Sequence, residues 1–369
     1  MNATLTYFFV ILFWLLSLLE QSGWGVAMQI SDKSHLLVAV MAFLIYINKQ
    51  KFQKIPGICV CGLILTFIII PYINKSSLQG ASYLTAFLVV YIFSQAKVSK
   101  ALIKNMAFAI AGLGIVIMLI YTQGTVLAGW NDNAISMIGL FSFIFFSVVL
   151  VLQKKRKSFL LWNIITVIYL SLLFATNCRS GMLFSIIAVI AIVYSKKVSK
   201  LFKNRFINIL LLNLPLLIAL LVISIGESSY FSELDKWSKE TMESGKGIFN
   251  GRDHLWSHGL LLLEDSSYIG TGKFIINYHN SSIACLSVFG VLGYIFWIQY
   301  FESVFKQLRV YLSDNIVFGC MLGFTIIFLQ QTVDLGFIST SPNYIPYMIL
   351  GLGLGRIQYI KNRSLINNG

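Results

Sequence analysis

Charge is what this chain has least of: 28 Lys or Arg and 14 Asp or Glu in 369 residues, 11% of positions, where a soluble domain carries about 25%. With 57% apolar residues, that shortage excludes an ordinary water-soluble fold. Cysteine is scarce too, five residues in all. Cys59 and Cys61 share one apolar run, Cys285 and Cys320 lie in two others, and Cys178 stands alone near a run's end. Neither a disulfide framework nor a metal-cluster spacing is on offer. The short basic connections contain no phosphate-cradling glycine loop, which argues against nucleotide-driven chemistry there. No internal repeat or low-complexity tract is found. The first apolar run lacks a basic leader and a small-residue cleavage site, so it is expected to stay as a helix.

What the chain has is long, continuous apolar runs, the mark of helices that each present about 20 residues to a bilayer. Twelve are read: Leu5–Leu19, His35–Ile47, Ile55–Ile73, Ser82–Ala96, Ala101–Tyr121, Asn133–Leu152, Phe159–Ala175, Gly181–Tyr194, Ile207–Gly226, Ser281–Phe301, Ile316–Val333 and Tyr344–Ile357. The expected fold is therefore an all-α polytopic membrane protein, one transmembrane domain over residues 1–369. The second and eighth runs are short and must borrow flanking polar residues or sit at the bundle edge. The net charge of +14 is a topology signal rather than a nucleic-acid one, since 20 of the 28 basic residues gather in alternate short loops. The run Lys154–Lys157 and the cluster Lys196, Lys197, Lys200, Lys203, Arg205 are the densest of them. The positive-inside rule then places both termini in the cytoplasm. All carboxylates but Glu302 and Asp314 fall in or beside the opposite, external connections.

One connection is long. Residues 227–279 carry Phe231, Leu234 and Trp237, then Leu255, Trp256, Leu260 and Leu263, at helical spacing. This pattern predicts two or three amphipathic helices on the outer face, the first capped by Ser228 or Ser232; they form a lid over a site at the membrane boundary, a cap that merely packs on the bundle being the plainer alternative. Three external residues stand out. Arg179, in Asn177-Cys178-Arg179-Ser180-Gly181, and Arg252, in Gly251-Arg252-Asp253-His254-Leu255-Trp256, are arginines where every other external cation is lysine. A guanidinium fork holds phosphate oxygens in pairs, which an ammonium does not; pairing with lipid headgroups, Asp253 or Asp334 is the plainer alternative. His279 has the ordinary ionisation range of a general base, and a hydrogen-bonding or helix-capping histidine is its plainer alternative. Gly290 and Gly293, three apart on the helix that follows, would let a second helix come close. His254 and His258 share a helix face but lack the glutamate of a zinc-protease motif. Asp334 stands at the outer end of the eleventh run.

These features resemble the O-antigen polymerase and O-antigen ligase superfamily of bacterial membrane glycosyltransferases. The likeness spans nearly the whole chain: about twelve helices, internal termini and one long external loop in the C-terminal half. The ligase-type signature His-[Asn/Ser/Gln]-x9-Gly-x-x-Gly is matched by His279-Asn280 through Gly290 and Gly293. Arg179-Ser180-Gly181 and Gly251–Trp256 look like looser motifs of the same group. The resemblance implies a location in the bacterial cytoplasmic membrane. It also implies a substrate, a glycan on undecaprenyl pyrophosphate serving as donor, with a second lipid-linked unit as acceptor. By it, His279 is the base toward the acceptor hydroxyl, Arg179 and Arg252 bind the pyrophosphate, and transfer inverts the anomeric carbon without cofactor or metal. Asn280, Lys273, Asp253 and Asp334 would stand behind them, Asn280 orienting the His279 ring. Membrane lipid, a chain-length regulator and a flippase are the partners it brings, and nucleic acid is not among them. The leaning is to a polymerase for O-antigen, capsule or exported polysaccharide. A ligase using a lipid A core as acceptor, and a transporter of lipid-linked oligosaccharide, stay open.

Overall fold

A computed structural model describes residues 1–20, 28–49, 57–73, 79–123, 132–150, 156–176, 178–226, 233, 236, 251–333, 337–338 and 343–367. Helix accounts for 85% of it and no strand occurs among the described residues. In chain order the helices are α1 (Ala3–Glu20), α2 (Ile30–Lys49), α3 (Gly57–Ile73), α4 (Gln79–Ser94), α5 (Lys100–Thr122), α6 (Asp132–Leu150) and α7 (Arg156–Ala175). They continue as α8 (Arg179–Val193), α9 (Ser195–Phe202), α10 (Arg205–Gly226), α11 (Arg252–Asp265), α12 (Ser281–Arg309), α13 (Asn315–Gln330) and α14 (Ile345–Asn367). Each apolar run of the sequence falls on one of these helices. The expected amphipathic segment at Phe231, Leu234 and Trp237 lies outside the described residues.

Among the described residues three helices, α5, α10 and α12, are long and apolar enough to cross a membrane, and α8 with α9 makes a fourth if that pair counts as one span. The exterior of the bundle is apolar. Leu160, Val167 and Phe174, spaced by seven along α7, are 65%, 63% and 70% exposed. A stripe like that belongs against lipid, because in water it would forfeit about 25 cal/mol for every Å² left uncovered. The described residues are thus all helical apart from turns, and several of these apolar helices are of the kind that membrane proteins carry.

The two short runs resolve differently. The second gains length by taking in polar residues, giving a helix of 20 residues. The eighth turns through 92° into α9. There Phe202 is buried while Lys196, Lys197 and Lys200 are exposed, the division of an interfacial helix. Not every cation of that basic set is free in solvent. Glu302 pairs with Arg309 at 2.8 Å and Arg205 at 3.3 Å. Arg356, only 6% exposed, grips Asp314 through Nη2 at 2.8 Å and donates Nη1–H to the Val98 carbonyl at 3.0 Å. The two acids of that set thus neutralise arginines that anchor α10, α12 and α14.

Lipid tails give apolar helices no reason to associate, so packing must come from close fit. On α14 the sequence Gly351-Leu-Gly353-Leu-Gly355 supplies it. A Cβ at Gly351 would stand 2.8 Å from the Val90 carbonyl, and one at Gly355 would stand 2.7 Å from those of Phe93 and Ala96. Gly353 faces Cys320 of α13 in the same way.

Two helices are broken, and the breaks meet. In α3 a π turn at Leu65–Ile69 precedes Pro71, whose missing N–H denies a partner to the carbonyl four residues back. In α12, Gly290 has φ 72° and ψ −178°, far from helical values. Phe67 of the π turn stacks on Phe289 with ring centroids 3.8 Å apart. The halves of α12 do not run on in line. Asn280 at its start reaches the Pro215 carbonyl of α10, and Tyr294 reaches Asn213 of the same helix, two residues away. A continuous helix would hold residues fourteen apart about 21 Å apart along its axis.

Candidate functional site

The Gly-Arg-x-x-x-Trp stretch has a physical reason at each fixed position. Gly251 is the N-cap of α11 at φ 75°, a left-handed conformation that costs a side-chain-bearing residue about 1 kcal/mol. Arg252 and Trp256 follow four apart and so share a face. Trp256 is buried and its indole N–H donates to the Tyr278 carbonyl at 2.7 Å. Arg252 stands close enough for its charge to act on His279. The two motifs read separately from the sequence are thus one assembly, with α11 laid against the start of α12.

His279 itself is held in an unusual state. Its φ is +49°, and its amide donates to Asn277 Oδ1 at 3.1 Å. A left-handed non-glycine residue costs about 1–3 kcal/mol and persists only where neighbours fix it. Here they do: Trp256 holds Tyr278 from one side, and the Tyr278 hydroxyl bonds Ser287 Oγ at 2.7 Å from the other. The ring is half-buried and its Nδ1 is enclosed without a hydrogen-bond partner. Burial first, and the Arg252 charge second, lower the imidazole below its ordinary value of 6.5. At neutral pH it is therefore an uncharged base.

Asn280 does not orient that ring, contrary to expectation. Its Oδ1 accepts from the amides of Ser282 and Ile283 at 2.9 and 3.0 Å, capping α12. Its Nδ2 donates to the carbonyls of Pro215 in α10 and Thr332 beyond α13, at 3.1 and 3.0 Å. The Ser281 amide is likewise taken, by Gln331. The helix N-terminus is closed by protein groups, so it is no open anion seat; the positive charge acting at His279 is that of Arg252. Asn280→Ala is expected to lower stability by about 2–4 kcal/mol, one cap plus two orphaned carbonyls. Asn280→Asp keeps the cap and loses both donors, and thermal melting in detergent should place it as low as the alanine variant.

The two glycines of the signature divide the expected role. A Cβ at Gly293 would stand 3.5 Å from Thr66 of α3, so a second helix does come close there; at Gly290 it is instead the loop after α11 that crosses α12. Thr271 and Gly272 donate their amides to the carbonyls of Ser287 and Val288, both at 2.8 Å, and Val291 donates to the Tyr268 carbonyl at 3.1 Å. The groups freed by the break are satisfied by this crossing. Gly270 and Gly290 pass so closely that a Cβ on either would run into the other's strand of backbone.

The remaining residues take separate places. Arg179 opens α8, exposed, on a helix packed against α6, α7 and α13, whereas the cation acting on His279 is Arg252. Asp253 sits beside Gly226 at the end of α10. Lys273 is exposed on the loop. His254 and His258 are exposed on α11, opposite the buried Trp256 face. Asp334 lies outside the described residues. Trp256 was read as an apolar helix position and as the end of the Gly-Arg-x-x-x-Trp stretch, but its bond to Tyr278 was not foreseen; Tyr278 and Ser287 were not singled out by sequence.

No family model matches the chain, and a search of characterised proteins returns no match.

Proposed function

We propose that the protein is a glycosyltransferase that polymerises undecaprenyl-pyrophosphate-linked oligosaccharides at the outer face of a bacterial cytoplasmic membrane. In this reading the twelve apolar helices cross the bilayer with both termini inside, and α11 caps the outer end. The observation that carries it is the Arg252–His279 pair: a neutral imidazole with an unsatisfied buried nitrogen beside a guanidinium. That is what transfer from a diphosphate-linked donor asks for. The acceptor hydroxyl oxygen attacks the anomeric carbon and gives its proton to His279. The bond from that carbon to the pyrophosphate oxygen breaks, the electron pair leaving with the pyrophosphate. Arg252 stabilises the departing charge, and Arg179, at the start of α8, is the second cation that this reading assigns to the pyrophosphate. One displacement inverts the anomeric centre, and no step calls for a nucleotide. The histidine signature favours a second reading, a ligase, which shares these steps and differs only in acceptor.

Purified protein in liposomes containing lipid-linked repeat units of its host should yield a ladder of glycan lengths. Transfer only on adding a terminal glycolipid acceptor makes it a ligase, and no transfer in either case removes the glycosyltransferase reading in favour of a transporter.

The pH dependence follows from the site. Burial disfavours imidazolium and the positive neighbour adds to this, so His279 stays neutral to lower pH than a free imidazole. The acid limb of kcat/KM should therefore lie below pH 6.5, the ordinary imidazole value. Arg252→Ala removes the charge and should move the limb upward while slowing turnover; Arg252→Lys should leave the limb in place and still lose rate, because the fork is gone.

A further inference from the structure

The turn between α11 and the Gly290 crossing is built to push two large apolar side chains outward. Ser267 and Tyr268 are consecutive left-handed residues, at φ 52° and 64°. Neither is a glycine, so the turn stores strain at both positions. It is pinned from below: the Tyr268 amide donates to the Leu263 carbonyl at 2.9 Å, and Ser266 Oγ accepts from the Gly270 amide at 3.1 Å. The result is Tyr268 57% exposed and Ile269 47% exposed, where a loop in water would carry polar residues. These side chains do not stand alone. Tyr268 is hydrogen-bonded to Val291, and Val291, Leu292 and Ile295 on the second half of α12 are 37%, 54% and 41% exposed. The loop tip is therefore tied by its backbone to the stretch where these apolar residues emerge on a helix long and apolar enough to cross a membrane.

We infer that Tyr268 and Ile269 form a wedge inserted among lipid acyl chains at the membrane boundary, seated on the lipid-facing side of α12. Lys273, exposed four residues further on, stands at the headgroup phosphates. Tyrosine suits the position, with an apolar ring for the chains and a hydroxyl for the interface. The wedge fixes the height of α11 and of the His279 turn relative to the bilayer, because the same loop is stitched to α12 and then runs on to Tyr278. Its occupant is bilayer lipid whatever reaction the site performs, so its test does not use activity.

The test places a fluorophore at the tip. Ile269→Cys, in a Cys61→Ser background that removes the exposed native thiol, is labelled with an environment-sensitive dye and reconstituted in phosphatidylcholine nanodiscs. Leu292→Cys serves as the lipid-facing reference. Nitroxide attached high on the acyl chain should quench the dye at 269 nearly as well as at 292, aqueous iodide should quench it weakly, and emission should be blue-shifted. Strong iodide quenching with no nitroxide effect places the tip in water and overturns the proposal. If Ile269→Cys fails to fold, Tyr268→Cys gives the same reading from the adjacent position.

Discussion

Replacing His279 with asparagine should abolish glycan transfer while the protein still folds. The choice of asparagine matters. Residue 279 sits at φ +49°, a region that asparagine tolerates better than alanine does. Alanine there would confound loss of the base with relaxation of the turn. Asparagine keeps the backbone and the amide bond to Asn277 Oδ1, and offers no nitrogen that can take a proton near neutrality. Loss of a positioned base lowers rates by about 10²–10⁴-fold. The melting temperature in detergent should stay near wild type, because the ring's Nδ1 makes no hydrogen bond to lose. Transfer at wild-type rate by His279→Asn removes the histidine as base. A melting temperature that collapses with the activity would instead make His279 a structural residue of the turn.

Much of the architecture was legible because the length of an apolar run acts locally: each run of the sequence lies on a helix. What the sequence could not give was where helices stop being straight. Gly290 inside an apolar stretch reads the same whether it admits a helix or a crossing loop; only the positions of Tyr268–Gly272, twenty residues earlier, decide between them. Arg356 read as one more loop cation, yet it is buried against Asp314, a pairing across 42 residues that no local pattern encodes. At the site, His279 and Arg252 were both picked out, and the structure brings them together. Their coupling was not visible, because it passes through the Trp256 indole and the Tyr278 carbonyl, a side chain meeting a backbone group. Asn280 was read as a partner of its neighbour, when its acceptor caps its own helix and its donors serve two other segments. Short polar side chains carry little sequence signal for what they bond.

Gly290→Ala should damage both stability and activity more than any other glycine substitution on α12. The backbone at φ 72° and ψ −178° is a conformation only glycine adopts readily, costing about 1–3 kcal/mol elsewhere. The added methyl would also drive into the backbone of Ile269 and stand 2.5 Å from the Tyr268 carbonyl, which forces the loop away. Overpacking of that kind costs about another 1–3 kcal/mol, and the bonds to Ser287, Val288 and Tyr268 go with the displaced loop. Gly112 is the control: it lies on α5 with nothing within 4 Å of its missing Cβ, so Gly112→Ala should be neutral or stabilising by about 0.5–1 kcal/mol. The crossing makes a sharper demand. A Cβ at Gly270 would meet the Gly290 amide and one at Gly290 would meet the Ile269 carbonyl, so Gly270→Ala should reproduce the Gly290→Ala defect, and the double variant should cost less than the two single losses together. Helix–helix packing through the Gly290–Gly293 face makes the opposite demand, that Gly270 be indifferent. Melting curves of the four proteins in one detergent decide between a crossed loop and a packed helix. Additive losses, or a wild-type Gly270→Ala, would put the second helix back at Gly290.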